Sequence, residues 1–222
     1  MSVAPTDYLT AVGHLPAGAV LRIDDVSWEE YQNLLAYLGQ GYAARIFYDN
    51  GRMEVMAPAS AHEEAKSVIH SLVTALRDEL DIDIESLGSS TLRKEMKAIG
   101  AEPDDSFYIH NASSVIGKAD LNLVNDPPPD LVVEIDRTSS SLDRFAIYAA
   151  LDVPEVWRLA RRKLRIHLLA GRSYEESLTS RAFPFLTSQV LTDFISLGLE
   201  MGERRATRAF REWVREHHQP PQ

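Results

Sequence analysis

Pro127-Pro128-Pro129-Asp130-Leu131-Val132-Val133-Glu134-Ile135-Asp136 is the stretch on which the reading of the fold turns. The three prolines stop a helix from running into it, and Leu131, Val132, Val133 and Ile135 read as a buried central strand. Strand side chains alternate faces. Asp130, Val132, Glu134 and Asp136 therefore share one side, and Leu131, Val133 and Ile135 share the other. Glu134 and Asp136 then stand about 7 Å apart on one face. Two like charges that close in a partly dry site cost on the order of 1–3 kcal/mol at an effective dielectric near 20. A cation or a proton is expected beside them.

Downstream, residues 138–141 form a polar helix-capping cluster, and Phe145, Tyr148, Ala149 and Leu151 line a helix that stops before Pro154. Val156 to Leu159 follow as a strand, so strand, helix and strand make a crossover unit that is expected to be right-handed. Arg161-Arg162-Lys163 read as a basic turn into Leu164 to Leu169, and Gly171-Arg172 turn the chain toward an edge strand near Tyr174. Residues 189–218 look helical in two pieces, the second rich in arginine.

Upstream, Glu102-Pro103-Asp104-Asp105-Ser106-Phe107-Tyr108-Ile109 ends in aromatic and β-branched residues and reads as a second strand opened by a proline and acids. Short extended pieces are expected around Ile82 to Glu85 and Ser89 to Arg93. Ser60 and Glu63 have capping-box spacing, ahead of an apolar stripe of Ala65, Ile69, Leu72, Val73, Leu76 and Leu80. Asp49-Asn50-Gly51 between Ala44–Tyr48 and Arg52–Met56 is a hairpin signal. Ser27 and Glu30 open a helix that ends at Gly39 and Gly41. The expected organisation is a flexible lead-in over 1–25, one domain over 26–200, and an arginine-rich helix and tail over 201–222.

The chain has 222 residues, 45% of them hydrophobic, and a formal net charge of −10. As a whole it repels polyanions, so any nucleic-acid contact must come from local basic patches or a metal. With no cysteine, disulfides, zinc ribbons and thiol catalysis are excluded, and a metal would be held by oxygen or imidazole. The first ten residues carry no apolar core region and no apolar run of membrane-spanning length occurs, which points to a soluble, cytoplasmic protein.

The motifs at 102–109, 127–135, 139–148 (Ser139-Ser140-Ser141-Leu142-Asp143-Arg144-Phe145-Ala146-Ile147-Tyr148) and 153–158 (Val153-Pro154-Glu155-Val156-Trp157-Arg158) together resemble the Uma-type restriction endonuclease family, placed in the PD-(D/E)XK nuclease superfamily. The resemblance runs from about Tyr42 to Leu197. It implies an α/β fold, a restriction-endonuclease-like mixed β-sheet flanked by helices with an N-terminal hairpin, and a metal-dependent endonuclease that hydrolyses DNA. Pro103-Asp104 matches the superfamily's Pro-Asp, and Glu134 its second acid. The implied site holds Mg²⁺ or Mn²⁺ between Asp104, Glu134 and the carbonyl of Ile135, with Glu63 a further contributor and Asp136 an auxiliary acid. The superfamily's pairing to cut two strands carries the expectation of a homodimer. One departure stands out: the lysine expected two positions after Glu134 is Asp136. Arg144 takes the place from which relatives supply a lysine, and an arginine can clamp phosphate but is a poor proton acceptor.

Plainer readings stand beside these. Glu63 serves equally as the capping-box acid of Ser60, Asp130 as a strand-entry residue, and Asp104 as a loop terminus. Glu134 is also satisfied by a buried salt bridge to Arg144 or Lys94. Tyr148 and Trp157 read as core, and Arg161, Arg162, Lys163, Arg165, Arg204, Arg205, Arg208, Arg211 and Arg215 as solvated faces rather than backbone contacts. A catalytically silent nuclease-fold protein that binds nucleic acid or a protein partner is the main alternative. A paired-carboxylate glycosidase is a weaker one.

Overall fold

The proline-led stretch is a strand, Leu131–Asp136, at the middle of the larger of two sheets. The computed structural model describes residues 11–12, 14–39, 44–57, 60–118, 121–136 and 142–218. The strands are β1 (Val20–Ile23), β2 (Arg45–Asp49), β3 (Arg52–Met56), β4 (Glu85–Ser86), β5 (Leu92–Lys94), β6 (Ile99–Ala101), β7 (Asp105–Tyr108), β8 (Leu131–Asp136), β9 (Glu155–Ala160), β10 (Lys163–Ala170) and β11 (Ser173–Ser177). The helices are α1 (Trp28–Leu38), α2 (Ser60–Leu80), α3 (Arg144–Ala150), α4 (Ser188–Met201) and α5 (Glu203–His217).

The six-stranded sheet runs β11-β10-β9-β8-β7-β4. The β8–β9 pair is parallel and is joined through α3; its neighbours are antiparallel. This is the expected mixed sheet flanked by helices. The expected hairpin is also present, with Asn50 at φ 46° and Gly51 at φ 90° in its turn. It is not an appendage, however: β2 and β3 lie inside a second, antiparallel five-stranded sheet of order β1-β3-β2-β6-β5.

Period-two alternation in β8 decides what packs where. Leu131, Val133 and Ile135 join a core with Leu72 and Leu76 of α2, Ile195 of α4, and Phe210 and Val214 of α5. Val132 enters a different core, with Phe47 and Ala101 of the first sheet and Ile147, Tyr148 and Leu151 around α3. The larger sheet is thus covered on both faces, and Glu134 projects on the side where the second sheet docks.

Two expectations about the ends change. Within the lead-in over 1–25, Val20–Ile23 pairs residue by residue with Met56 to Met53, because the apolar Leu21 and Ile23 have a strand partner to pack against. The helix placed in a separate tail is α5, whose Ala206, Phe210 and Val214 are buried in the main core. The capping cluster at 138–141 and the Ser60 side chain lie outside the described residues. The cap seen on α3 is Asp143, which accepts a hydrogen bond from the Ala146 amide at 3.2 Å.

Candidate functional site: a buried cluster of acids and arginines

Glu134 is buried at 3% exposure, and α3 is built to meet it. Arg144 and Tyr148 are four residues apart and so share one face of that helix. The Arg144 guanidinium donates to one Glu134 carboxylate oxygen, and the Tyr148 hydroxyl donates to the other. Arg144 also lies 3.6 Å from Asp136 Oδ1 and 3.9 Å from Glu54 Oε1, with its guanidinium 4.2 Å from the Phe47 ring centroid. Glu54 and Phe47 belong to β3 and β2, so both sheets contribute to the site. Asp136 is held in addition by Arg158 across the β8–β9 pair.

Asp104 arrives from the entrance to β7. Its amide donates to the Val133 carbonyl at 3.1 Å, and its Oδ2 accepts from the Ile135 amide at 2.8 Å. These bonds stitch the Asp104 carboxylate to the backbone on either side of Glu134. Arg45 of β2 stands between Asp104 Oδ1, at 3.9 Å, and Glu63 Oε1 of α2, at 3.7 Å. Asp104, Glu134, Asp136 and Arg144 are therefore brought together, while Glu63 sits at the rim, half exposed, behind Arg45.

Removal from water pushes the Glu134 carboxyl up to about 7; Arg144 and Tyr148 pull it down, and the negative fields of Asp104 and Asp136 push it further up. Burial and the facing Glu134 carboxylate drive the Tyr148 hydroxyl far above its ordinary range, so Tyr148 stays a donor. Arg45, Arg144 and Arg158 all reach acids of the notch around Glu134, and burial is the first cause of the Glu134 shift. The oxygen donors of the notch suit a hard divalent cation: the carboxylates of Asp104 and Glu134 and the backbone oxygen of Ile135. Among the described residues, no group of three or more His, Asp or Glu side chains is placed to hold a metal. Backbone and water oxygens would have to complete such a shell.

Several contributors escaped the sequence reading. Glu54 lies fully buried within Met53-Glu54-Val55, the same pattern of an acid inside an aliphatic strand that singled out Glu134. Tyr148 was read as core, which it is, but its hydroxyl carries no sequence signal of a carboxylate partner. Apart from the cluster, His70 of α2 places Nδ1 2.8 Å from Asp105 Oδ2, and that hydrogen bond holds the imidazole above its usual pKa.

The plainer readings also find their places. Asp130 caps backbone at Ile109 N (2.7 Å) and Asn111 N (3.0 Å), and Lys94 pairs with Asp152 at 2.5 Å rather than with Glu134. Trp157 is core, its indole donating to Glu155 at 2.6 Å.

The family model Uma2, described as "Putative restriction endonuclease", matches residues 28–202. A solved structure, that of "a putative nuclease belonging to DUF820" from Anabaena variabilis ATCC 29413, superposes with a TM-score of 0.51 at 14% identity. The match covers 77% of this chain and 99% of that one, which shows a shared fold. No curated protein matches. The family match spans the larger sheet, all of the smaller one except β1, and every residue of the acid cluster, and the chain belongs to the Uma2 restriction endonuclease family.

Proposed function

We propose that the acid cluster is the centre of a metal-dependent endonuclease that hydrolyses phosphodiester bonds in DNA. The observation that carries this reading is the stitching of the Asp104 carboxylate to Ile135, which sets it beside a Glu134 whose pKa is raised by burial and by Asp104 itself. Asp104, Glu134 and the Ile135 carbonyl are the proposed ligands for Mg²⁺ or Mn²⁺. A divalent ion bound there supplies Lewis acidity toward the phosphate and a water of lowered pKa. Asp136, through Arg158 and Arg144, sets the orientation of the guanidinium. Arg144, released from Glu134, reaches a phosphate oxygen and balances its charge. Glu63 keeps Arg45 turned toward Asp104. The same reading takes a homodimer as the assembly that cuts both strands and the cytoplasm as its compartment.

The test is cleavage of supercoiled plasmid with Mg²⁺ or Mn²⁺ by wild type and Glu134→Ala. Wild type is expected to nick and linearise DNA, and the variant to lose at least ~100-fold of that rate. Equal inertness of two folded proteins sinks the catalytic claim.

A second reading rests on the Arg144–Glu134 contact: a permanent cation already neutralises the acid, as in a nuclease fold that binds nucleic acid or protein without cutting. Calorimetric titration with Mn²⁺ separates the two, since a silent scaffold takes up none at Glu134.

A further inference from the structure

The arginine stripe of α5 divides into two halves with different surroundings. Arg204, Arg208, Arg211 and Arg215 follow one another at spacings of three or four residues and so line one side of the helix. In the distal half, Arg211 meets Asp78 at 2.5 Å and Glu79 at 3.1 Å, and Arg215 meets Glu79 at 2.6 Å. These α2 acids neutralise it. In the proximal half, Arg204, Arg205 and Arg208 are exposed and make no ion pair among the described residues.

Folding gives no reason for this. Arg204 and Arg208 are like charges four apart, and Arg204 and Arg205 stand in the first turn, where the helix dipole disfavours cations. The one nearby acid offsets a single charge and leaves the three arginines in excess. Glu203 accepts hydrogen bonds from Ser67 at 2.6 Å and Ser71 at 2.5 Å, and so is tied down onto α2.

The three arginines face a groove of about 710 Å³ between α2 and α5, whose other walls are Ser71, Thr74, Thr207, Arg211 and one acid, Glu203. Guanidinium groups lining an open channel are the chemistry that grips phosphate oxygens without reading bases. Ser71 lies eight residues beyond Glu63 on α2, about 12 Å further along the helix axis.

We propose that this groove, lined by Arg204, Arg205 and Arg208, is a docking site for the phosphate chain of DNA. The choice of partner rests on the nuclease reading above; the binding itself does not depend on metal or on catalysis. It also supplies the local basic surface that a chain of net charge −10 needs in order to hold a polyanion.

The experiment is fluorescence anisotropy of a labelled 20-base-pair DNA duplex in EDTA, titrated across salt concentration. Three proteins are compared: wild type, Arg204→Gln/Arg205→Gln/Arg208→Gln, and a control with three exposed arginines removed elsewhere, Arg165→Gln/Arg172→Gln/Arg181→Gln. Thermal melts confirm that all are folded. The groove variant is expected to bind at least ~10-fold more weakly and to lose about 2 to 3 units from the slope of log K against log salt, while the control keeps both. Equal losses in the two variants, no loss in the groove variant, or no binding by wild type each overturn the proposal. Tighter binding of a matched RNA duplex by the same arginines overturns the assignment to DNA. Wild type that binds through the groove yet leaves plasmid intact with Mn²⁺ keeps this proposal and removes the nuclease reading; cleavage undiminished in the groove variant does the reverse.

Discussion

Among single residues, Glu134 governs how the site responds to pH. Its carboxyl moves from an ordinary value of 4.5 to about 7, so the folded state binds its proton more tightly than the unfolded chain does. The stability it contributes is complete below pH 4.5 and is lost as pH rises through about 7. Arg144→Met exposes this directly. Arg144 holds that carboxyl down, so its removal raises it further, and the cost of the substitution in urea unfolding should be larger at pH 8 than at pH 5.5 by up to about 1.4 kcal/mol. A pH-independent difference would mean that Arg144 acts through packing on Phe47 alone. The same proton competes with any metal, so Mn²⁺ affinity should rise between pH 6 and pH 8 in wild type and stay flat in Glu134→Gln. Sequence could locate this residue because an acid inside an aliphatic strand needs a partner. It could not separate Glu134 from Glu155, which is equally buried but is consumed by the Trp157 indole and the amides of Arg181 and Ala182.

At the level of elements, local rules carried most of the reading. The Asn50-Gly51 turn, the β8 alternation and the α2 stripe all appear where periodicity and turn chemistry place them. The strand at Val20–Ile23 was missed because four residues give too short a pattern to tell from a loop, and its identity is decided by β3, thirty residues away. Helix packing was equally illegible. Gly198 of α4 lies so close to α2 that an added Cβ would come within 2.6 Å of Val68. Gly198→Ala should therefore destabilise by about 1–3 kcal/mol despite its better helix propensity, and the pair with Val68→Ala should recover part of the loss. Additive losses in the double variant would refute the close approach.

For the whole molecule, the two sheets contribute unequally to one site. β8 and β9 are enclosed by separate cores on their two faces, whereas β1 closes the outer edge of the first sheet. Amides of β8 and β9 should accordingly exchange with solvent only on global unfolding, and those of β1 and β3 at least ~10-fold faster. Uniform protection would argue that both sheets open as one unit. That Arg45, Phe47 and Glu54 would face Asp104 and Arg144 was beyond sequence reasoning, since the docking of two sheets leaves no short-range trace. The far rim of the larger sheet has its own implication. β11 ends that sheet with Ser173-Tyr174-Glu175-Glu176-Ser177, its two glutamates in solvent. Backbone groups there are laid out for another strand, but a second copy offering the same border would bring its carboxylates against them. Ribbon-like stacking of molecules is thus discouraged at that margin, and a twofold partner would have to be sought on a different side.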